Sequence, residues 1–219
     1  MRRLLVASLV ALSLPAAHLV AQAPQCVAAK GVFLAKKADG AWEPVKAGVA
    51  APLNRSLISL FETDVLSANG AVEVRLRGEI GELGPLPAFE SAVQFHDNPK
   101  VDLDLTLERG IVVLVNKKKE GPANVALRVR GKTLAITLRE PETRLGINLY
   151  ARHAPGLEAL KADEPTYFVV MLNLDGSSQV HYLDKEVSLK APPGPALLRF
   201  DSAFHEVDVQ HLDKLPPWA

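Results

Sequence analysis

The run from Val101 to Val115 constrains this chain more than any other. Val101, Leu103, Leu105 and Leu107 alternate with Asp102, Asp104, Thr106 and Glu108, and Gly110 then leads into an unbroken apolar run over 111–115. Successive side chains of a strand point to opposite faces. A period of two therefore puts the aliphatic residues on one face and the charges on the other. Gly110 allows a kink or bulge between this amphipathic strand and a second, fully apolar one.

The same grammar recurs along most of the chain and predicts an all-β fold. Val32 and Leu34 share one face of a first strand, with Phe33 and Ala35 on the other, and Pro44 demotes the hairpin partner over 41–46 to an edge. Asn69-Gly70 is the clearest hairpin turn, and Val72, Val74 and Leu76 point inward behind it while Glu73, Arg75 and Arg77 point out. Residues 78–87 read as loop, and residues 89–95 as a short strand or a helical turn. Val125, Leu127 and Val129 alternate with Ala126, Arg128 and Arg130, and Gly131 repeats the strand–glycine–strand device. Residues 145–150 form a further strand, and 157–161 a possible helical turn. Residues 167–174 form another strand with Asp175-Gly176 as its turn, onto which 179–189 pairs back. Residues 196–200 make the last strand. Val207, His211 and Leu215 are then spaced by four, which predicts a short amphipathic C-terminal helix. The expected architecture is an antiparallel, curled or sandwich-like sheet of many short strands over 24–200. The helix and the start of a linker occupy 201–219.

Met1-Arg2-Arg3, an uncharged apolar stretch over 4–20 and Ala21-Gln22-Ala23 have the layout of a secretory signal peptide spanning 1–23. Pro24 disfavours a cut after Ala23, so Ala21 is the alternative. The competing reading, an uncleaved anchor, needs roughly 20 apolar residues, and this stretch is shorter and holds Pro15 and His18. The expected location is periplasmic or secreted. Without Arg2 and Arg3 the 25 basic residues fall to 23 against 25 acidic ones, which argues against nucleic acid as a partner. Cys26 is the only cysteine, so no intrachain disulfide is possible, and it reads as an inert N-terminal thiol.

No motif for catalysis, metal or cofactor emerges. His205 and His211 lack the i, i+4 spacing of a shared metal, and His96, His153 and His181 stand alone, so each reads as a surface histidine. There is no G-x-S-x-G element, and Cys26 has no neighbouring histidine. Asp102 and Asp104, about 7 Å apart on a strand, could be imagined as a glycosidase pair, but alternation makes them the solvated face of a half-buried strand. Aromatic residues are only 5% of the chain and scattered, which gives no evident sugar platform. Lys117, Lys118 and Lys119 are an electrostatic handle for an acidic partner, or more plainly a soluble hairpin tip. With the outward Arg128 and Arg130 they form the candidate partner-binding set. Outward arginines on neighbouring strands could also meet Asp102, Asp104 and Glu108 and fix register.

Several pieces together resemble the periplasmic sensory domain of the FecR family: Leu60-Phe-Glu-Thr-Asp64-Val-Leu66, Asn69-Gly70 with the strand to Leu76, Leu107-Glu-Arg-Gly110 with the strand to Val115, and the continuation over 125–138. The match covers residues 30 to 150. The resemblance implies an exported all-β module that recognises another macromolecule, and it offers no catalytic residues. Only three residues precede the apolar leader, so the cytoplasmic anti-sigma arm of that family is not expected. The expectation is a non-enzymatic binding, sensing or assembly module with a protein partner in the cell envelope. Its rivals are a secreted carbohydrate-active or hydrolytic domain, which would converge carboxylates or histidines in a pocket, and a signal-relay subunit anchored by its uncleaved leader.

Overall fold

The computed structural model describes residues 23–78, 90–152, 165–191, 196–201 and 207–216. Residues 1–22 of the expected leader, all but Gly78 of the loop expected over 78–87, the helical turn expected over 157–161 and the proline-rich break at 192–195 lie outside the described residues. The strands, in chain order, are β1 (Gln25–Ala29), β2 (Val32–Lys36), β3 (Trp42–Pro44), β4 (Leu57–Leu60), β5 (Thr63–Leu66), β6 (Val72–Arg77), β7 (Glu90–His96) and β8 (Leu103–Asn116). They continue as β9 (Ala123–Val129), β10 (Lys132–Leu138), β11 (Arg144–Arg152), β12 (Thr166–Asp175), β13 (Ser177–Tyr182), β14 (Lys185–Lys190), β15 (Ala196–Asp201) and β16 (Val207–His211). The architecture is all-β and sandwich-like, as the alternation predicts.

Strand β8 is long enough to serve two curled halves. Residues 103–109 pair with β7 and β9, and residues 110–116 pair with β6 and β11. One half runs β1-β5-β6-β8-β11-β12-β15-β16, the other β3-β2-β4-β7-β8-β9-β10-β13-β14. The corner between them is Gly110, at φ 91. A Cβ there would lie 2.6 Å from the Glu90 carbonyl oxygen and 2.7 Å from the Ser91 Cα, so only glycine fits. Ser91 fills the corner: its hydroxyl accepts from the Ile111 amide (2.8 Å) and donates to a backbone carbonyl.

The expectation of a purely antiparallel sheet needs one correction: β8 and β9 are parallel. Because β8 folds over at Gly110, its end lies above its own beginning. The short link over 117–122 therefore delivers β9 alongside the start of β8, running the same way. Two other glycine readings change. Arg130 (φ 47) and Gly131 (φ 75) form a two-residue hairpin turn between β9 and β10, not a second kink. Gly176 is a second corner, since β12 lies in the first half and β13 in the other. Residues 179–189 accordingly form their own hairpin, β13–β14, around Leu183-Asp184. The segment beginning at Glu90 is strand, not helical turn.

The expected C-terminal helix is also overturned. Val207 to His211 form β16, antiparallel to β15. Three residues spaced by four define barely two turns, too little to nucleate a helix. Val207 and Val209 are β-branched and meet the open ladder of β15, which favours extended backbone. Val207 packs on the core while Leu215 is 52% exposed, so the spacing by four does not mark a buried face.

The core lies between the halves. Leu57, Phe95, Leu105, Leu107, Leu127 and Ile136 face Val65, Val74, Leu76, Val112, Leu114 and Ile147, all at 1% exposure or less. At its β14–β16 end lies a cavity of about 10 Å³, room for about one water, lined by Leu134, Met171, Val187 and Phe200 among others. The buried Tyr182 hydroxyl beside it has no hydrogen-bond partner among the described residues.

Two stability measurements test this account. Gly110→Ala combines a left-handed backbone with overpacking and should lower unfolding free energy by about 3 kcal/mol in urea denaturation. Tyr182→Phe removes an unsatisfied buried hydroxyl and should raise stability by about 1 kcal/mol. A loss of stability in that variant would show that the hydroxyl is satisfied.

Candidate functional site

Where β9 enters beside β8, the Asp102 and Asp104 carboxylates bind the joint together. Asp102 accepts from Lys118 Nζ (2.7 Å), the Asn124 amide (2.8 Å) and Asn69 Nδ2 (2.9 Å). Asp104 accepts both arms of the Arg128 guanidinium (2.8 and 2.7 Å) and Asn98 Nδ2 (2.8 Å). Asp104 is thus 2% exposed and not on the solvated face that alternation suggests, because the parallel β9 covers that face with Arg128. Burial raises both carboxyl pKa values, but the Lys118, Arg128 and amide hydrogen bonds outweigh it and hold both below the ordinary range. Two carboxylates held ionised at neutral pH and already hydrogen-bonded are poorly suited to glycosidase acid–base work, which needs one of them protonated.

The candidate partner-binding residues are dispersed by the same fold. Lys117 bonds Glu142 (2.7 Å), and Lys118 is turned onto Asp102. Lys119 is exposed. Arg128 is held on Asp104, and Arg130, past the far end of β9, lies over the Tyr167 ring at 4.2 Å. Of the outward arginines, only Arg128 reaches one of the three acids. Arg75 pairs with Glu73, and Arg77 with Glu62.

His96 does not stand alone. Its Nδ1 is 2.8 Å from Asn54 Oδ1 and its Nε2 2.7 Å from Thr106 Oγ1. Burial first, then Arg128, lowers its pKa against the pull of Asp104. The ring is neutral at pH 7, donating from Nδ1 to Asn54 and accepting the Thr106 hydroxyl at Nε2. A hydroxyl, a base and an orienting amide are therefore in line. The backbone at Thr106, however, is tied into ladders with β7 on one side and β9 on the other. Among the described residues that leaves no converging N–H pair there to hold an oxyanion. The chain anchors the Asn54 loop to the sheet. Among the described residues no group of three His, Cys, Asp or Glu could hold a metal ion. Cys26 is buried in β1, and burial and Asp64 push its thiol pKa up, which leaves it unreactive.

Two open depressions flank Glu108 and Arg109, and neither is visible in sequence. One, of about 620 Å³, is lined by Arg130, Tyr150, Tyr167 and Thr106 among others, and Arg152 lies over the stacked Tyr150–Phe168 pair beside it. The other, of about 720 Å³, crosses the outer face of β2, β3, β4, β7 and β8 and holds Trp42, Arg55, Gln94 and Glu108. These residues come from segments far apart in the chain, so no local motif announces them.

The joint generates a pH prediction. Both aspartates have folded pKa values below the unfolded one, so their stabilisation is complete above about pH 4 and is lost as pH falls through the folded values. His96, with a lowered folded pKa, adds a milder loss as pH falls below about 6.5. Stability should therefore decline from pH 7 to 5 and steeply below 4, and Asp104→Asn should flatten the lower limb. Arg128→Ala should cost about 2 kcal/mol in urea denaturation, less than for a fully buried pair because the guanidinium is 46% exposed.

The chain matches no family model, and neither the curated proteins nor the solved structures contain a significant match to it.

Proposed function

We propose that this protein is an exported, non-enzymatic FecR-like module of the cell envelope that captures an extended segment of a partner protein. The layout of residues 1–23 supports export, and the pieces over 30–150 support the family likeness. The observation that carries strand capture is the outer edge of β14. Strand β14 pairs only with β13 among the described strands. Tyr182 and Lys185 close the two-residue turn, and the Ala191 amide bonds the Gly176 carbonyl at 3.0 Å. That alternation directs the Glu186, Ser188 and Lys190 backbone groups away from β13 and toward an incoming strand. Lys185 and Lys190 at its two ends guard against promiscuous pairing and favour a partner strand carrying acidic residues.

The edge expected at Pro44 is a weaker acceptor. Strand β3 is an edge, but it has three residues. The Val45 amide bonds Phe33 and the Lys37 amide bonds Ala41, which turns alternate groups toward β2. Pro44 has no N–H, so Trp42 supplies the single outward donor of that strand.

Ser188→Pro removes an outward N–H of β14 and leaves the β13 ladder intact. Purified wild-type protein should crosslink through β14 to an envelope partner, and the variant, with an unchanged melt, should lose that partner. Equal capture by both would refute strand addition.

A further inference from the structure

The groove on the outer face of β2, β3, β4, β7 and β8 lies at the opposite end of its half from β14, so it stands apart from strand capture. Its volume, about 720 Å³, falls within the roughly 300–1,000 Å³ of ordinary ligand sites. Lys36, Lys37, Arg55 and Arg109 line it with one carboxylate, Glu108, but Glu43 pairs with Arg55 (2.7 Å) and Glu90 with Arg109 (2.6 Å), so the excess of positive charge rests on Lys36 and Lys37. That excess is local, since the whole chain balances 25 basic against 25 acidic residues. Trp42 lies directly across from Lys36 in the β2–β3 register and is 40% exposed.

The polar groups in the groove are held in place. Arg55 donates from Nε to the Lys36 carbonyl (2.6 Å) and from Nη2 to Glu43 (2.7 Å), which fixes its guanidinium plane. Glu108 accepts from Ser56 Oγ and Gln94 Nε2, each at 2.5 Å. A carboxylate has about four acceptor positions, so Glu108 keeps capacity for further donors. Asn54 and Gln94 offer both donor and acceptor chemistry.

We propose that this groove binds an acidic glycan, a chain of pyranose rings bearing carboxylates. The indole face of Trp42, electron-rich at its centre, suits the polarised C–H face of a pyranose. Lys36 and Lys37, beside it, suit the carboxylates. Glu108 decides between polyanions. It only accepts hydrogen bonds, which the hydroxyls of every sugar ring supply and a phosphate chain does not. One site thus asks for negative charge and for hydroxyl donors on the same polymer.

Isothermal titration of the purified protein with hexagalacturonate tests this, with isomaltohexaose as the neutral sugar and hexaglutamate as the charge control. Hexagalacturonate should bind saturably and the controls should not. Trp42→Ala and the double variant Lys36→Ala/Lys37→Ala should each weaken binding about tenfold, the loss of one good contact. Lys132→Ala, an exposed residue of β10 outside the groove, should bind like wild type. All these side chains are exposed, so thermal melts should be unchanged. Absence of saturable heat with hexagalacturonate, equal binding of either control, or wild-type affinity in both groove variants would overturn the proposal.

Discussion

The bend of β8 at Gly110 is the constraint on which the rest of this structure depends. One strand supplies the central ladder of both halves, so the angle at a single residue sets how the two inner faces meet. A side chain there would collide with the backbone of β7, and the Ser91 hydroxyl holds the first amide beyond the turn. Gly176 repeats the solution farther along, with its own close approach to Thr143 and with Asn173 Nδ2 bonding the Asp175 and Gly176 carbonyls. At both corners a buried polar side chain satisfies backbone groups that the change of sheet would otherwise leave unpaired.

The parallel pairing of β8 and β9 follows from that bend and has an electrostatic consequence. It brings Arg128 beside Asp104 and Lys118 beside Asp102, engaging two of the five candidate partner-binding residues. The joint is thereby made of charge-assisted hydrogen bonds around partly buried carboxylates, which favours one register over a one-residue slip. The binding surfaces proposed above lie elsewhere, at the outer edge of β14 and in the groove beside Trp42. These two surfaces differ in kind: one offers backbone hydrogen bonds, the other an aromatic face with oriented polar groups.

Alternation of aliphatic and polar residues was enough to reveal the all-β fold, the inward faces of β6, β8 and β9, the edge at β3 and the special position of Gly110. These are local properties, because a strand reports its buried face through its own period of two. The spacing that suggested a C-terminal helix was equally local, and it failed because β15 offered an unpaired ladder that sequence spacing does not see. Whether a glycine made a kink, a hairpin or a crossover also lay beyond the sequence, since Gly110, Gly131 and Gly176 all take positive φ and differ only in what packs against them.

What the sequence determined by itself is therefore the class of structure and the side of each strand that is buried. Only the tertiary structure decided the parallel β8–β9 joint, the burial of Asp104, the Asn54–His96–Thr106 chain and the grouping of Lys36, Trp42, Arg55, Gln94 and Glu108 in one groove. Those residues are brought together by ladders between strands distant in the chain. Hydrophobic periodicity specifies the face a residue occupies but not its neighbour across the sheet, and the candidate sites in this fold are built from such neighbours.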